Sequence, residues 1–192
     1  NIYTVTSYND TGTTTADALK INPDNFEQLE KFGLSNIGVI DQLFLQTLYG
    51  TNDQTNSDDT IFFFDLDDRS QSWETIWDTS GNDTVTFQGE QTYSVHIDLR
   101  SPTLDLSDTD TTFSGICTVT TDNTWGGFII GHGVSIENAL SGLGDDNLTG
   151  NNLDNFLQSS GGDNIFKPSL GNDLIKSGDG EDIIYLQSNE QW

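Results

Sequence analysis

Oxygen-bearing side chains recur at a fixed spacing near the end of this chain, each set beside glycines. Between residues 141 and 185 the sequence divides into five nine-residue units without insertion or loss: SGLGDDNLT (141–149), GNNLDNFLQ (150–158), SSGGDNIFK (159–167), PSLGNDLIK (168–176) and SGDGEDIIY (177–185). The sixth residue of each is an acid or an amide: Asp146, Asn155, Asn164, Asp173, Asp182. Glycines at the second or fourth place (Gly142, Gly144, Gly162, Gly171, Gly178 and Gly180) admit backbone angles costly for other residues and turn carbonyl oxygens inward. Carbonyls with a carboxylate make a hard, flexible ligand set. Calcium takes roughly six to eight such oxygens, whereas such turns suit zinc poorly, so the chemistry these turns offer is calcium binding.

The rest of each unit positions those turns. The eighth residue is always large and apolar (Leu148, Leu157, Phe166, Ile175, Ile184), which predicts a short strand over places seven to nine with its eighth side chain in a shared interior. Two units complete one coil, so unit one stacks on three, two on four, and three on five. The sixth-place pairs are then Asp146 with Asn164, Asn155 with Asp173, and Asn164 with Asp182. Each pair holds one carboxylate and one amide, which predicts weak binding. Leu153 stands where glycine is expected, so the second unit departs furthest. A metal-free coil of the same shape is the alternative reading.

Composition sets the context. With 31 acidic and 6 basic residues the net charge is -25, which argues against nucleic acid and anionic membrane surfaces as partners. Bound cations offset acids that recur in Gly/Asn turns more naturally than solvent alone. The 11 Phe and 4 Trp supply a core. A lone cysteine, Cys117, excludes an internal disulfide and reads as a small hydrophobe in a Thr-rich strand. No apolar run approaches the roughly 18 residues of a membrane span, and the start at Asn1, without a signal-like segment, reads as a processed or excised piece. The glycosylation-type triplets at Asn9, Asn82 and Asn147 are what an Asn/Thr-rich chain produces by chance.

Ahead of the repeats, residues 21–50 read as helical. Asn22-Pro23 is a cap followed by proline at the first helical position, and Gly33 a stop. A second helix fits residues 36–49, with Ile37, Ile40, Leu43, Phe44 and Leu48 on one face and Gly50 ending it. Residues 51–60 form a polar linker. Beyond it, residues 61–64, 84–87, 94–99 and 117–120 alternate or run as short strands. The chain is therefore mainly β, a parallel β-roll continuous with a β-sandwich and preceded by a short helical segment, divided into 1–50 and 51–192.

The nonapeptide resembles the calcium-binding repeat of RTX proteins. Further segments make the resemblance more specific. DQLFLQTLYG (41–50) is similar to the last helix of the catalytic domain in serralysin-type secreted zinc proteases. IWDTSGNDT (76–84) resembles that family's Ile-Trp-Asp segment leading into a calcium loop, faced by DDT (58–60), and GVSIENA (133–139) resembles the approach to the roll. The resemblance implies a further calcium site using Asp59, Asp78, Gly81 and Asp83. TVTSY (4–8) sits where the family has Ser-Val-Met-Ser-Tyr, which makes Tyr8 a relic of a zinc ligand, with Thr6 in place of the methionine.

A serralysin holds zinc in His-Glu-x-x-His-x-x-Gly-x-x-His, with the Glu as general base. Only His96 and His132 occur here, neither followed by Glu, so zinc is not expected on this chain alone and no catalytic residue is assigned. No Gly-x-Ser-x-Gly elbow or phosphate loop is present. The favoured reading is a secreted, extracellular calcium-binding C-terminal module that folds on calcium. Two alternatives stand beside it: a fragment or subunit of an active zinc endopeptidase, completed by a missing protease portion, and an extracellular protein that binds a glycan or protein through Trp73, Trp77 and Trp125.

Overall fold

Strands of two to four residues, too short to stand alone, gain stability here only by stacking. A computed structural model describes residues 39–51, 53–65, 73–88, 92–102, 114–120 and 127–186. Tyr8, Trp125 and the helix expected before Gly33 lie outside the described residues. One helix, α1 (Val39–Tyr49), is followed by β1 (Ile61–Phe64), β2 (Trp73–Ile76), β3 (Thr84–Phe87), β4 (Val95–Asp98), β5 (Ile116–Val119) and β6 (Gly127–Ile130). Then come β7 (Asn138–Leu140), β8 (Asn147–Thr149), β9 (Phe156–Gln158), β10 (Ile165–Lys167), β11 (Leu174–Lys176) and β12 (Ile183–Ile184).

These strands form two sheets. One runs β1-β3-β7-β9-β11 and is parallel throughout; the other runs β12-β10-β8-β4-β5-β6-β2, antiparallel only where β5 meets β4 and β6. Successive repeat strands alternate between the sheets, so each pairs with the strand eighteen residues on: Leu148 with Phe166, Leu157 with Ile175, Phe166 with Ile184. The mainly β roll-and-sandwich architecture is therefore present, and the strands fall on places seven to nine of the units. β2, β6 and β7 carry no clear strand signal in the sequence. β6 has no alternation to read, because all four of its residues are buried.

The two sheets share one interior. Val85, Val95, Ile97, Ile136, Ala139, Leu148, Leu157 and Phe166 are essentially inaccessible, and Phe64 packs on Phe87 and Phe128 with ring centroids 5.2 and 6.1 Å apart. The outermost coil is less covered: Ile175 is half-buried and Ile184 is 46% exposed, because each ends its sheet. Phe166, the largest fully buried side chain, lies one coil inward of that end. Phe166→Ala is expected to lower stability by about 3–5 kcal/mol, read from urea unfolding at saturating calcium.

Helix α1 covers 39–49 of the expected 36–49, residues 36–38 lying outside the described residues, and it ends as expected. Gly50 takes φ 86°, and its N–H reaches the Gln46 carbonyl at 2.9 Å, a left-handed cap. Leu48, placed on the apolar face by its spacing, is 57% exposed, so that face is not covered along its whole length. Gln42 sets its amide oxygen beside Gly131 at the end of β6.

Candidate metal centres

Two columns of turns flank the sheets, and each turn ends one residue before a strand. In the first column Asp146, Asn164 and Asp182 stack. The Oδ1 of each accepts a backbone N–H from the coil before it: Val95 N–H to Asp146 at 2.9 Å, Asp146 N–H to Asn164 at 3.0 Å, and Asn164 N–H to Asp182 at 3.1 Å. In the second column the same contact runs from Thr60 N–H to Asp83 Oδ1 (2.8 Å), from Asp83 N–H to Glu137 Oε2 (2.8 Å), and from Asn155 N–H to Asp173 Oδ1 (2.9 Å). Asp83 and Glu137 are thus the sixth-place residues of turns that lie outside the repeats. The three sixth-place pairs expected from the spacing are all in contact.

The glycines explain how the turns approach so closely. Gly144, Gly162 and Gly180 stack in the first column, and a Cβ on Gly162 would fall inside contact distance of the Gly144 carbonyl oxygen. Gly171 meets the Leu153 carbonyl in the same way in the second column. Leu153 supplies that carbonyl as well as glycine would and leaves its side chain 40% exposed, so its departure from the pattern does not break the stack. Gly142 is buried, and Gly178 takes φ 81°. The fifth-place acids do something different. Asp145, Asp154 and Asp163 are exposed, and each accepts an N–H from the next coil at 2.8–2.9 Å, so they staple turns from the solvent side.

Oxygens crowd at two places. Between units one and three, the Ser159 hydroxyl lies 3.0 Å from the Gly161 carbonyl, 3.1 Å from the Gly142 carbonyl and 3.2 Å from Asp146 Oδ2. One hydroxyl hydrogen serves only one of these three acceptors. Asp146 is 2% exposed; burial raises its carboxyl above the usual range, although hydrogen bonds from Ser141, Val95 and Ser159 pull the other way. Ser159 carries no signal in the sequence, since the repeat pattern marks only the second, fourth and sixth places.

The second place joins the loops before β1, β3 and β7. Asp59 Oδ1 accepts the Asn82 N–H at 2.9 Å, Gly81 takes φ 145° against the Asp58 carbonyl, and Asp78 Oδ1 caps Ser80. Asp78 is 4% exposed, and its Oδ2 is buried without a hydrogen-bond partner. Asp83, 1% exposed, has its carboxyl pushed up to about 6, chiefly by burial and further by the like charges of Asp78 and Glu137, against the Thr60 N–H that lowers it. The chain treats another buried acid differently: Asp98, 1% exposed, is paired with Arg100, Nη2 to Oδ2 2.6 Å. Among the described residues no ion pair reaches Asp78 or Asp83.

Among the described residues no three His, Cys, Asp or Glu side chains gather tightly enough to hold a metal. The oxygens on offer are instead a mixture of carbonyls, a hydroxyl and a few carboxylates, a set that fits calcium better than zinc. His96 lies half-buried on β4 and His132 is exposed in a turn, not together. Trp73 and Trp77 are half-buried, with Trp77 packed on the core. Among the described residues no helix is long and apolar enough to cross a membrane.

Comparison with known proteins agrees with this architecture. A family model described as peptidase M10 serralysin C terminal matches residues 43–191. The chain is 34% identical over 124 residues to a serralysin of Photorhabdus laumondii subsp. laumondii, covering 59% of this chain and 23% of that protein. It is 36% identical over 128 residues to the metalloprotease AprA of Pseudomonas entomophila, covering 59% of this chain and 22% of that protein. The matches thus take in under a quarter of the length of these relatives. With stacked nonapeptide coils, the preceding sandwich and this match over most of its length, the chain belongs to the peptidase M10 serralysin C-terminal family.

Proposed function

We propose that this chain is the calcium-binding C-terminal module of a serralysin-like secreted metalloprotease, ordered by extracellular calcium and not catalytic by itself. The observation that carries the reading is the buried, unpartnered Oδ2 of Asp78 beside an Asp83 whose ionisation is disfavoured by burial and by neighbouring negative charge. A divalent cation there removes both penalties. Asp78 and Asp83 would hold it in the loops, with Asp59 and the Asp58 carbonyl nearby; Asp146, Ser159 and the Gly142 and Gly161 carbonyls would hold another in the roll. Calcium supplies the positive charge that no ion pair among the described residues brings to Asp78 or Asp83. Binding free energy then appears as folding free energy.

Extracellular calcium modules have dissociation constants of roughly 10⁻⁴ to 10⁻³ M, so such a module is loose at intracellular calcium and ordered outside. Proteolysis belongs, on this reading, to a portion of the parent protein that carries the zinc motif; these 192 residues contain no His-Glu-x-x-His. The test is far-UV circular dichroism of the chelator-stripped chain during a calcium titration, with magnesium as control. A cooperative gain of β signal between about 0.1 and 10 mM calcium, absent with magnesium, is expected. A β signal already complete without calcium and a melting temperature indifferent to it would overturn the reading.

A further inference from the structure

Asn164 is 1% exposed, and its side chain has only one workable orientation. Oδ1 accepts the Asp146 N–H at 3.0 Å. Nδ2 faces four oxygens: the Gly162 carbonyl at 2.8 Å, Asp182 Oδ1 at 2.8 Å, the Ser177 carbonyl at 3.2 Å and the Gly161 carbonyl at 3.3 Å. Rotating the amide by half a turn would set an oxygen against those four oxygens and two N–H groups against an N–H.

Toward unit one, the Gly161 carbonyl that Asn164 Nδ2 reaches also borders a second cluster in the same column, where a hydroxyl and not an amide is the donor. There the one Ser159 hydroxyl lies within reach of Asp146 Oδ2 and the Gly142 and Gly161 carbonyls. The two clusters differ in their donor: four oxygens face the two N–H groups of the Asn164 amide, whereas three face the single hydroxyl hydrogen of Ser159. From this contrast we infer that the Asn164 amide takes the place of a cation between units three and five, and that this turn is closed without calcium. The inference rests on the calcium reading of the roll and narrows it: Asn164 serves as an internal donor instead of the calcium ligand expected from its position.

The opposite column uses the same device. Asn155 Nδ2 donates to the Glu137 carbonyl at 3.1 Å and to Asn151 Oδ1 at 3.0 Å, while Asn155 Oδ1 accepts the Asn151 N–H at 2.8 Å. Asn151 Nδ2 donates to the Ile136 and Leu99 carbonyls at 2.8 and 3.2 Å. Two interlocked amides thereby satisfy the turn that lacks its expected glycine. Around Asn164, burial works against ionisation of Asp182, but hydrogen bonds from Ser177 and Asn164 hold its carboxyl below the usual range. A neutral donor does this whatever the calcium concentration. The roll is then divided: the Asp146–Ser159 turn answers to calcium, and the amide-closed turns hold their shape without it.

Asn164→Asp restores an all-oxygen turn and provides the test, with calcium per chain counted by equilibrium dialysis on the full 192-residue protein. The variant is expected to bind one ion more than the parent and, in chelator, to melt at a lower temperature than the parent; calcium is expected to restore its melting temperature. Asn164→Ala is expected to bind as many ions as the parent and to be less stable with and without calcium. An unchanged count in Asn164→Asp, or loss of an ion in Asn164→Ala, overturns the inference. A parent chain that binds no calcium overturns the calcium reading of the roll instead, and a single ion gained by Asn164→Asp would still uphold the amide's role.

Discussion

Gly162→Ala is expected to disrupt the roll, lowering stability by about 4 kcal/mol or more, well above the usual effect of a point substitution. Two penalties combine. Gly162 sits at φ 90°, a left-handed backbone that costs an L-residue about 1–2 kcal/mol. Its missing Cβ would also overlap the Gly144 carbonyl oxygen, which is backbone and cannot swing aside without parting two coils. Gly133→Ala separates the two effects. Gly133 has φ 82°, but nothing lies within 4 Å of the point where an alanine methyl would stand, so only the backbone penalty of about 1–2 kcal/mol is expected. Urea melts of both variants in saturating calcium measure the difference; equal losses would show that coil contact contributes nothing.

Asp83→Asn is expected to act with opposite signs in the two metal states. Without calcium, burial and the charges of Asp78 and Glu137 raise the Asp83 carboxyl from 3.8 to about 6. A raised folded-state value means that its stabilising contribution is complete below about pH 4 and is lost as pH rises through about 6, a difference of about 3 kcal/mol. Asparagine keeps an oxygen for the Thr60 N–H, which the aspartate accepts at 2.8 Å, and carries no charge. In chelator at pH 7.5 the variant should therefore melt above the parent, and the parent's loss of stability between pH 4 and 6 should flatten. With millimolar calcium the order should reverse, because the variant lacks a carboxylate for the ion. Thermal melts in chelator and in calcium decide it; a shift in the same direction in both would show that the carboxylate serves no cation.

The repeats were legible because their register is one-dimensional. A nine-residue period with an apolar eighth place dictates alternate sheets, and the sixth-place contacts Asp146–Asn164 and Asn155–Asp173 follow from counting eighteen. The sandwich was half legible. Residues 61–64 and 84–87 alternate in burial as a two-faced strand should, but β6 is buried on both faces and β7 is three residues long. Asp78 and Asp83 were placed by family resemblance, whereas Glu137 was not: the column continues through turns that share no motif with the repeats, and only the N–H contact shows the equivalence. Ser159 was hidden because serine at the first place of a unit looks like a spacer.

The eighteen-residue stacking interval also constrains how the chain can change length. Removing two consecutive units shortens the roll by one coil and returns every later residue to its own column. Removing one unit, such as residues 150–158, would carry each later strand across to the other sheet. Asp173 would then stand under Asp146, carboxylate on carboxylate, and Asn164 would leave the oxygens of its own column for those below Glu137. Only the removal of whole coils therefore keeps every later strand in its own sheet and every later turn in its own column.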